Sequence, residues 1–97
     1  MSGSGPLVAI PLAAAVDSLS RALDNYRHVA NSYRKGAVSC SVLNRAYSLV
    51  GRARTRLEAS RQEIAGGLAD SDSIRVSMLA AEFTFVAQTY QRSGCQR

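Results

Sequence analysis

Between Leu12 and Tyr33 the apolar side chains stand at Leu12, Val16, Leu19, Leu23, Tyr26, Ala30 and Tyr33, at spacings of 4, 3, 4, 3, 4 and 3 residues. That period gathers all of them on one stripe of an α-helix, whereas a strand, with its period of two, would scatter them over both faces. A second seam follows at Leu43, Ala46, Val50, Ala53, Leu57, Ser60 and Ile64 with the same alternation. Two heptad seams of similar length joined by a short polar stretch predict an antiparallel helical hairpin.

The third pattern is different. Val76, Leu79, Phe83, Val86 and Tyr90 make one seam, and Ile74, Met78, Ala81 and Phe85 make another, so this segment is apolar over more than half of its circumference. A helix that packs only on a hairpin needs a single stripe of roughly 100°. The surplus must be covered by a compact bundle or by a partner.

Local signals set the boundaries. Pro11 suits the first turn of a helix and Gly36 the left-handed position just past its end. Ser39 or Ser41 can cap the second helix. Gly66-Gly67 stops it, and Asp70-Ser71-Asp72-Ser73 supplies caps and acids for the third. Gly51, inside the second pattern, costs about 1 kcal/mol relative to alanine or marks a close helix crossing. The expected fold is therefore all-α: helices at about 11–34, 39–65 and 73–92, forming a three-helix bundle or a coiled-coil hairpin with a third amphipathic helix. Residues 11–93 read as one helical domain, 1–10 as a flexible leader and 94–97 as a tail.

Composition excludes several classes. At 46% apolar and 20% charged residues the chain is neither disordered by composition nor membrane-spanning. Its longest apolar run, Leu7 to Val16, is interrupted by Pro11 and falls well short of the roughly 20 residues a membrane helix needs. The first positive charge is Arg21, so that run also lacks the basic flank of a secretory signal. These features lead to an expectation of a cytoplasmic protein that does not insert in membranes. Cys40 and Cys95 then read as two reduced thiols, with a disulfide between them as the alternative.

No catalytic constellation emerges. There is no glycine-rich phosphate loop or dinucleotide fingerprint. Two thiols and the single His28 cannot close a four-ligand zinc site. The acids are spread along exposed faces: Asp17 lies four residues before Arg21, and Asp24 precedes Arg27 and His28, all helix-surface ion-pair spacings. Glu82, on the most apolar helix, is expected to pair with an arginine, Arg75 being one or two turns away. No enzyme activity, metal or cofactor is expected.

The twelve Lys and Arg residues against seven acids give a formal charge of +5. On the second helix Arg45, Arg52 and Arg56 share one flank and Arg54 and Arg61 another, with Glu58 and Glu63 between them. The first three are candidate electrostatic contacts, for nucleic acid or for an acidic protein. The tyrosines fall mostly on seams, which favours packing over base stacking.

The stretch from Leu19 to Leu57 contains a basic-Gly turn, Tyr33-Arg34-Lys35-Gly36, followed by Val42-Leu43-Asn44-Arg45-Ala46. It resembles the small helical-hairpin co-chaperones of needle subunits in bacterial type III secretion systems. The resemblance implies a second chaperone and a secreted subunit as partners, and it does not account for the third helix. Secreted hairpins with a Trp-x-Gly turn are a poorer match, because the chain has no Trp. Ser77-Met78-Leu79-Ala80-Ala81-Glu82 has the character of export-apparatus rod subunits, which assemble through a C-terminal helix.

The functional expectation is a non-enzymatic protein–protein interaction module, a small chaperone or adaptor of a secretion apparatus that shields an apolar helix. Ala46, Ala53, Ile74, Met78, Ala81 and Phe85 are its candidate contact residues. A nucleic-acid-binding helical protein and a structural subunit of a helical assembly are the alternatives, and self-association remains open.

Overall fold

A computed structural model describes residues 11–62 and 70–95. Among them are three helices, α1 (Leu12–Arg34), α2 (Cys40–Gln62) and α3 (Asp70–Ser93), and no strand. α1 packs along α2 and also along α3. Contacts fix the directions: Leu19 of α1 lies with Leu57 of α2 and Val76 of α3 at one end, and Tyr33 meets Cys40 and Ser93 at the other. The order is up, down, up, an all-α bundle of three helices.

The heptad seams are the core. α1 buries Ala15, Val16, Leu19, Leu23, Tyr26 and Ala30, and α2 buries Leu43, Ala46, Val50, Ala53, Leu57 and Ser60. Ile64, the last residue of the expected second seam, lies outside the described residues, as do Glu63 and Gly66-Gly67. α3 buries only Val76, Leu79 and Val86, with Phe83 and Tyr90 partly covered. The third helix is thus held by a thinner apolar contact than the other two.

Helix ends follow backbone hydrogen bonding. Pro11 is the cap residue of α1 and not, as expected, its first helical residue; its ψ of 144° is extended, and its carbonyl accepts from Ala15 N–H at 3.0 Å. At the other end Gly36 takes φ +78°, Gly36 N–H reaches Tyr33 O at 3.0 Å and Ala37 N–H reaches Ser32 O at 2.9 Å. That paired closure requires a left-handed residue at Gly36. Ser39 precedes α2, and its carbonyl accepts from Val42 and Leu43. Asp70 and Asp72 lie inside the first turn of α3, where they complement the positive end of the helix dipole, so the helix starts earlier than its polar run suggested. Around Gly51 the helix continues, and a Cβ there would meet nothing within 4 Å, so no close crossing exists at that point.

The largest departure from the sequence reading is covalent. Cys40 and Cys95 form a disulfide, and no free cysteine remains. The up, down, up order brings the start of α2 beside the end of α3, which places the two Cα atoms 5.3 Å apart, within disulfide range. Cys95 is buried, and its N–H is held by Ser93 Oγ, so the expected tail is tied down as far as residue 95. No helix among the described residues is long and apolar enough to cross a membrane.

Ion pairs also differ in detail. Arg27 bonds Asp24 at 3.1 Å and reaches across to Glu82 of α3, so Glu82 does pair with an arginine, one on α1 and not Arg75 of its own helix. On parallel helices in contact, a residue opposite Glu82 on α1 is nearer than one two turns back along α3. The expected Asp17–Arg21 and Asp24–His28 pairs are not formed among the described residues, since both acids stand on exposed faces where water competes.

Candidate functional site

Two faces and one cavity carry chemistry. The first face is the outside of α3. Ile74, Met78, Ala81 and Phe85 fall within about 60° of arc at 100° per residue. Ile74, Met78 and Phe85 are 61%, 66% and 63% exposed, and Ala81 is exposed beside them. The core stripe of the same helix is centred nearly opposite. α3 therefore does not fill the middle of the bundle; it packs on its own hairpin with one stripe and shows the other to solvent. Phe85 also borders a groove of about 210 Å³ between α3 and α1, with Arg27, Ala30 and Arg34 on its far side.

Ala46 and Ala53 lie on the buried side of α2. They are 3% and 4% exposed, inside the α1–α2 seam. The small side chains do allow a close helix approach, and the helix that approaches is α1; Ala53 also lines an open groove between α1 and α2.

The second face is basic. Arg45, Arg52 and Arg56 are exposed on one flank of α2, as the spacing predicts, and none is in an ion pair with a described residue. Val42 and Leu49, 39% and 44% exposed, lie among them. The other flank is used internally: the Arg54 guanidinium sits 4.6 Å above the Phe83 ring, and Arg61 pairs with Glu58 at 2.9 Å.

The cavity, about 300 Å³, lies where the end of α1, the start of α2 and the end of α3 converge, and is lined by residues including Tyr26, Tyr33, Arg34 and Arg92. Sequence periodicity did not single out its aromatic neighbour Tyr47, which stands just off the α2 seam. Tyr47 stacks on Tyr90 with ring centres 4.0 Å apart and on Phe83 at 6.5 Å, and meets the edge of Tyr26 at 5.9 Å. Tyr90 donates its hydroxyl hydrogen to Asn44 Oδ1 at 2.6 Å. These contacts join α2 to α3 across the bundle.

The Tyr26 hydroxyl is buried and has no hydrogen-bond partner among the described residues. Burial pushes its phenol up to about 12, with Tyr47 and Tyr90 adding to the rise and Arg34 opposing it. Because the folded value lies above the unfolded value of about 10, the associated stability is complete below pH 10 and lost as pH climbs towards 12. Tyr26→Phe is expected to match the parent or exceed it by about 1 kcal/mol near neutral pH, since a buried unpaired hydroxyl is removed. By pH 11 the parent should lose about 1 kcal/mol more than the variant. Urea unfolding of both at pH 7 and 11 checks this; parallel losses would refute it.

Among the described residues no group of three or more His, Cys, Asp or Glu could hold a metal ion. His28 is exposed on α1 and meets none of the cysteines, which are joined to each other. The chain matches no protein-family model, no curated protein and no solved structure in comparisons with known proteins.

Proposed function

We propose that the chain is a non-enzymatic protein–protein interaction module, in which the outer face of α3 is covered by an apolar helix of a partner. The observation that supports this most is the run Ile74, Met78, Ala81 and Phe85, four apolar side chains on one exposed stripe of a helix whose opposite side already serves the core. Helix-in-groove partners use this i, i+4, i+7, i+11 spacing. Each large side chain that becomes fully buried contributes on the order of 1.5–3 kcal/mol.

An adaptor of a secretion apparatus is the form of this reading closest to the family the hairpin resembles. The Cys40–Cys95 bond favours an oxidising compartment over the cytoplasm, where thiol reductants keep cysteines open. That setting suits an adaptor acting outside the cytosol better than a cytosolic chaperone.

The test is site-directed photocrosslinking in the native cell with a benzophenone amino acid at position 78 or 85. Discrete adducts from these positions, and none from the exposed Asp24 of α1, are expected. A Met78→Asp/Phe85→Asp variant should keep its thermal unfolding within a few degrees, because both side chains are exposed, and lose the partner. Adducts of equal intensity from all three positions, or no adduct at 78 and 85, would remove the reading.

A further inference from the structure

Two antiparallel helices form two grooves, and α3 occupies only one of those between α1 and α2. The other is open. It measures about 310 Å³, with Arg21 and Asn25 on its α1 side, Arg52 and Arg56 on its α2 side, and Ala22, Leu49 and Ala53 as apolar floor. We propose that this groove seats an acidic amphipathic helix of a partner protein, which completes a four-helix bundle around the hairpin.

Charge carries the first part of the argument. Arg27 and Arg61 have carboxylate partners and Arg54 lies on an aromatic ring, but Arg21, Arg52 and Arg56 are in no ion pair with a described residue. The acids one turn either side of Arg21 on α1, Asp17 and Asp24, make no ion pair with it, Asp24 being bonded to Arg27. Three cations from two helices thus face one trough without compensation. Carboxylates spaced one turn apart along an incoming helix reach Arg52 and Arg56, which are themselves one turn apart, while another meets Arg21.

Shape carries the second. A trough between antiparallel helices has the width of a helix, as α3 demonstrates on the opposite side. The Leu49 and Ala22 floor suits an aliphatic side chain at the centre of such a helix, with the arginines as a charged rim. A nucleic acid fits less well. All four tyrosines lie in or against the core and exposed Phe85 is on α3, so this face offers no aromatic for base stacking.

The probe is a fluorescein-labelled helical peptide of about 20 residues, long enough to hold a helix, with Glu and Leu at one-turn spacing on one face. A second peptide carries Gln in place of Glu, and a single-stranded oligonucleotide of similar length serves as the rival polyanion. Anisotropy titrations compare the parent chain with Arg21→Gln/Arg52→Gln/Arg56→Gln and with Arg34→Gln/Arg75→Gln/Arg92→Gln, which has the same net charge. The parent and the second triple variant should bind the Glu peptide alike, and the groove triple should lose at least about tenfold. Leu49→Asp, at a half-exposed site, should lose binding too, and Met78→Asp/Phe85→Asp should not. That last comparison separates this groove from the α3 face. The proposal is overturned by absent peptide binding at low salt, by equal loss in both triples, by unchanged binding in Leu49→Asp, or by groove-dependent binding of the oligonucleotide in preference to the Glu peptide.

Discussion

Opening the Cys40–Cys95 bond is expected to lower the unfolding free energy by about 4 kcal/mol, the loop-closure value for a separation of 55 residues. The bond restrains the unfolded chain, and in the folded state it anchors the end of α3, a helix with only three fully buried residues against six in each of the others. The variant Cys40→Ser/Cys95→Ser and the parent chain treated with a phosphine reductant should therefore give the same weakened urea transition. A loss below about 1 kcal/mol would mean that α3 is held almost entirely by its side-chain contacts. Thinning of the α3 contact should also show locally, as faster amide exchange in α3 than in the α1–α2 hairpin once the bond is reduced.

Tyr47→Ala is expected to cost about 3 kcal/mol, towards the lower end for aromatic truncation because the ring is half-buried. Three aromatic neighbours lose their shared contact at once: Tyr90 stacked at 4.0 Å, Phe83 at 6.5 Å and Tyr26 edge-on at 5.9 Å. Tyr47→Phe keeps the rings together and should stay within about 0.5 kcal/mol, because the pairing energy resides in the ring faces and edges. Denaturant unfolding of the two variants measures the difference, and near-ultraviolet circular dichroism should show lost tyrosine ellipticity in the alanine variant only. Tyr47 and the disulfide both fasten α3 to α2, so removing both should not be additive. Similar costs for alanine and phenylalanine would place the energy outside the aromatic cluster.

Much of the helical frame was legible because burial repeats at helical spacing. Leu19, Leu23, Val50 and Leu57 each fall on a seam and each lies in the core. The inner stripe of α3 was legible for the same reason. What periodicity does not contain is the identity of the surface that covers a stripe. Ala46 and Ala53 read equally well as a landing strip for a partner and as the closest approach of α1; both are buried on the α1 side, and Ala53 also lines the open groove between the two helices. Met78 and Phe85 carry the same ambiguity in the other direction and emerge exposed.

Long-range pairings were illegible for a geometric reason. Cys40 and Cys95 meet only because two helices of nearly equal length run in opposite directions, and a single turn more or less in either would separate the sulfurs by about 5.4 Å. Glu82 found Arg27 on a neighbouring helix in the same way. Tyr47 escaped notice because it stands one residue from the seam, where periodicity assigns a flank; the aromatic cluster exists only once Phe83 and Tyr90 are brought across from α3.

The disulfide also changes what kind of object the chain is. Residues 40 to 95 form a covalent ring, and α1 is an arm attached to it at the hairpin turn. A single peptide bond hydrolysed anywhere within that ring opens the circle without separating its pieces, so a nicked molecule gains one water and stays covalently whole until the sulfurs are parted. A cut in the turn before residue 40 does the opposite and frees the arm, leaving α1 attached only by non-covalent contacts, its buried seam and the Arg27–Glu82 ion pair among them.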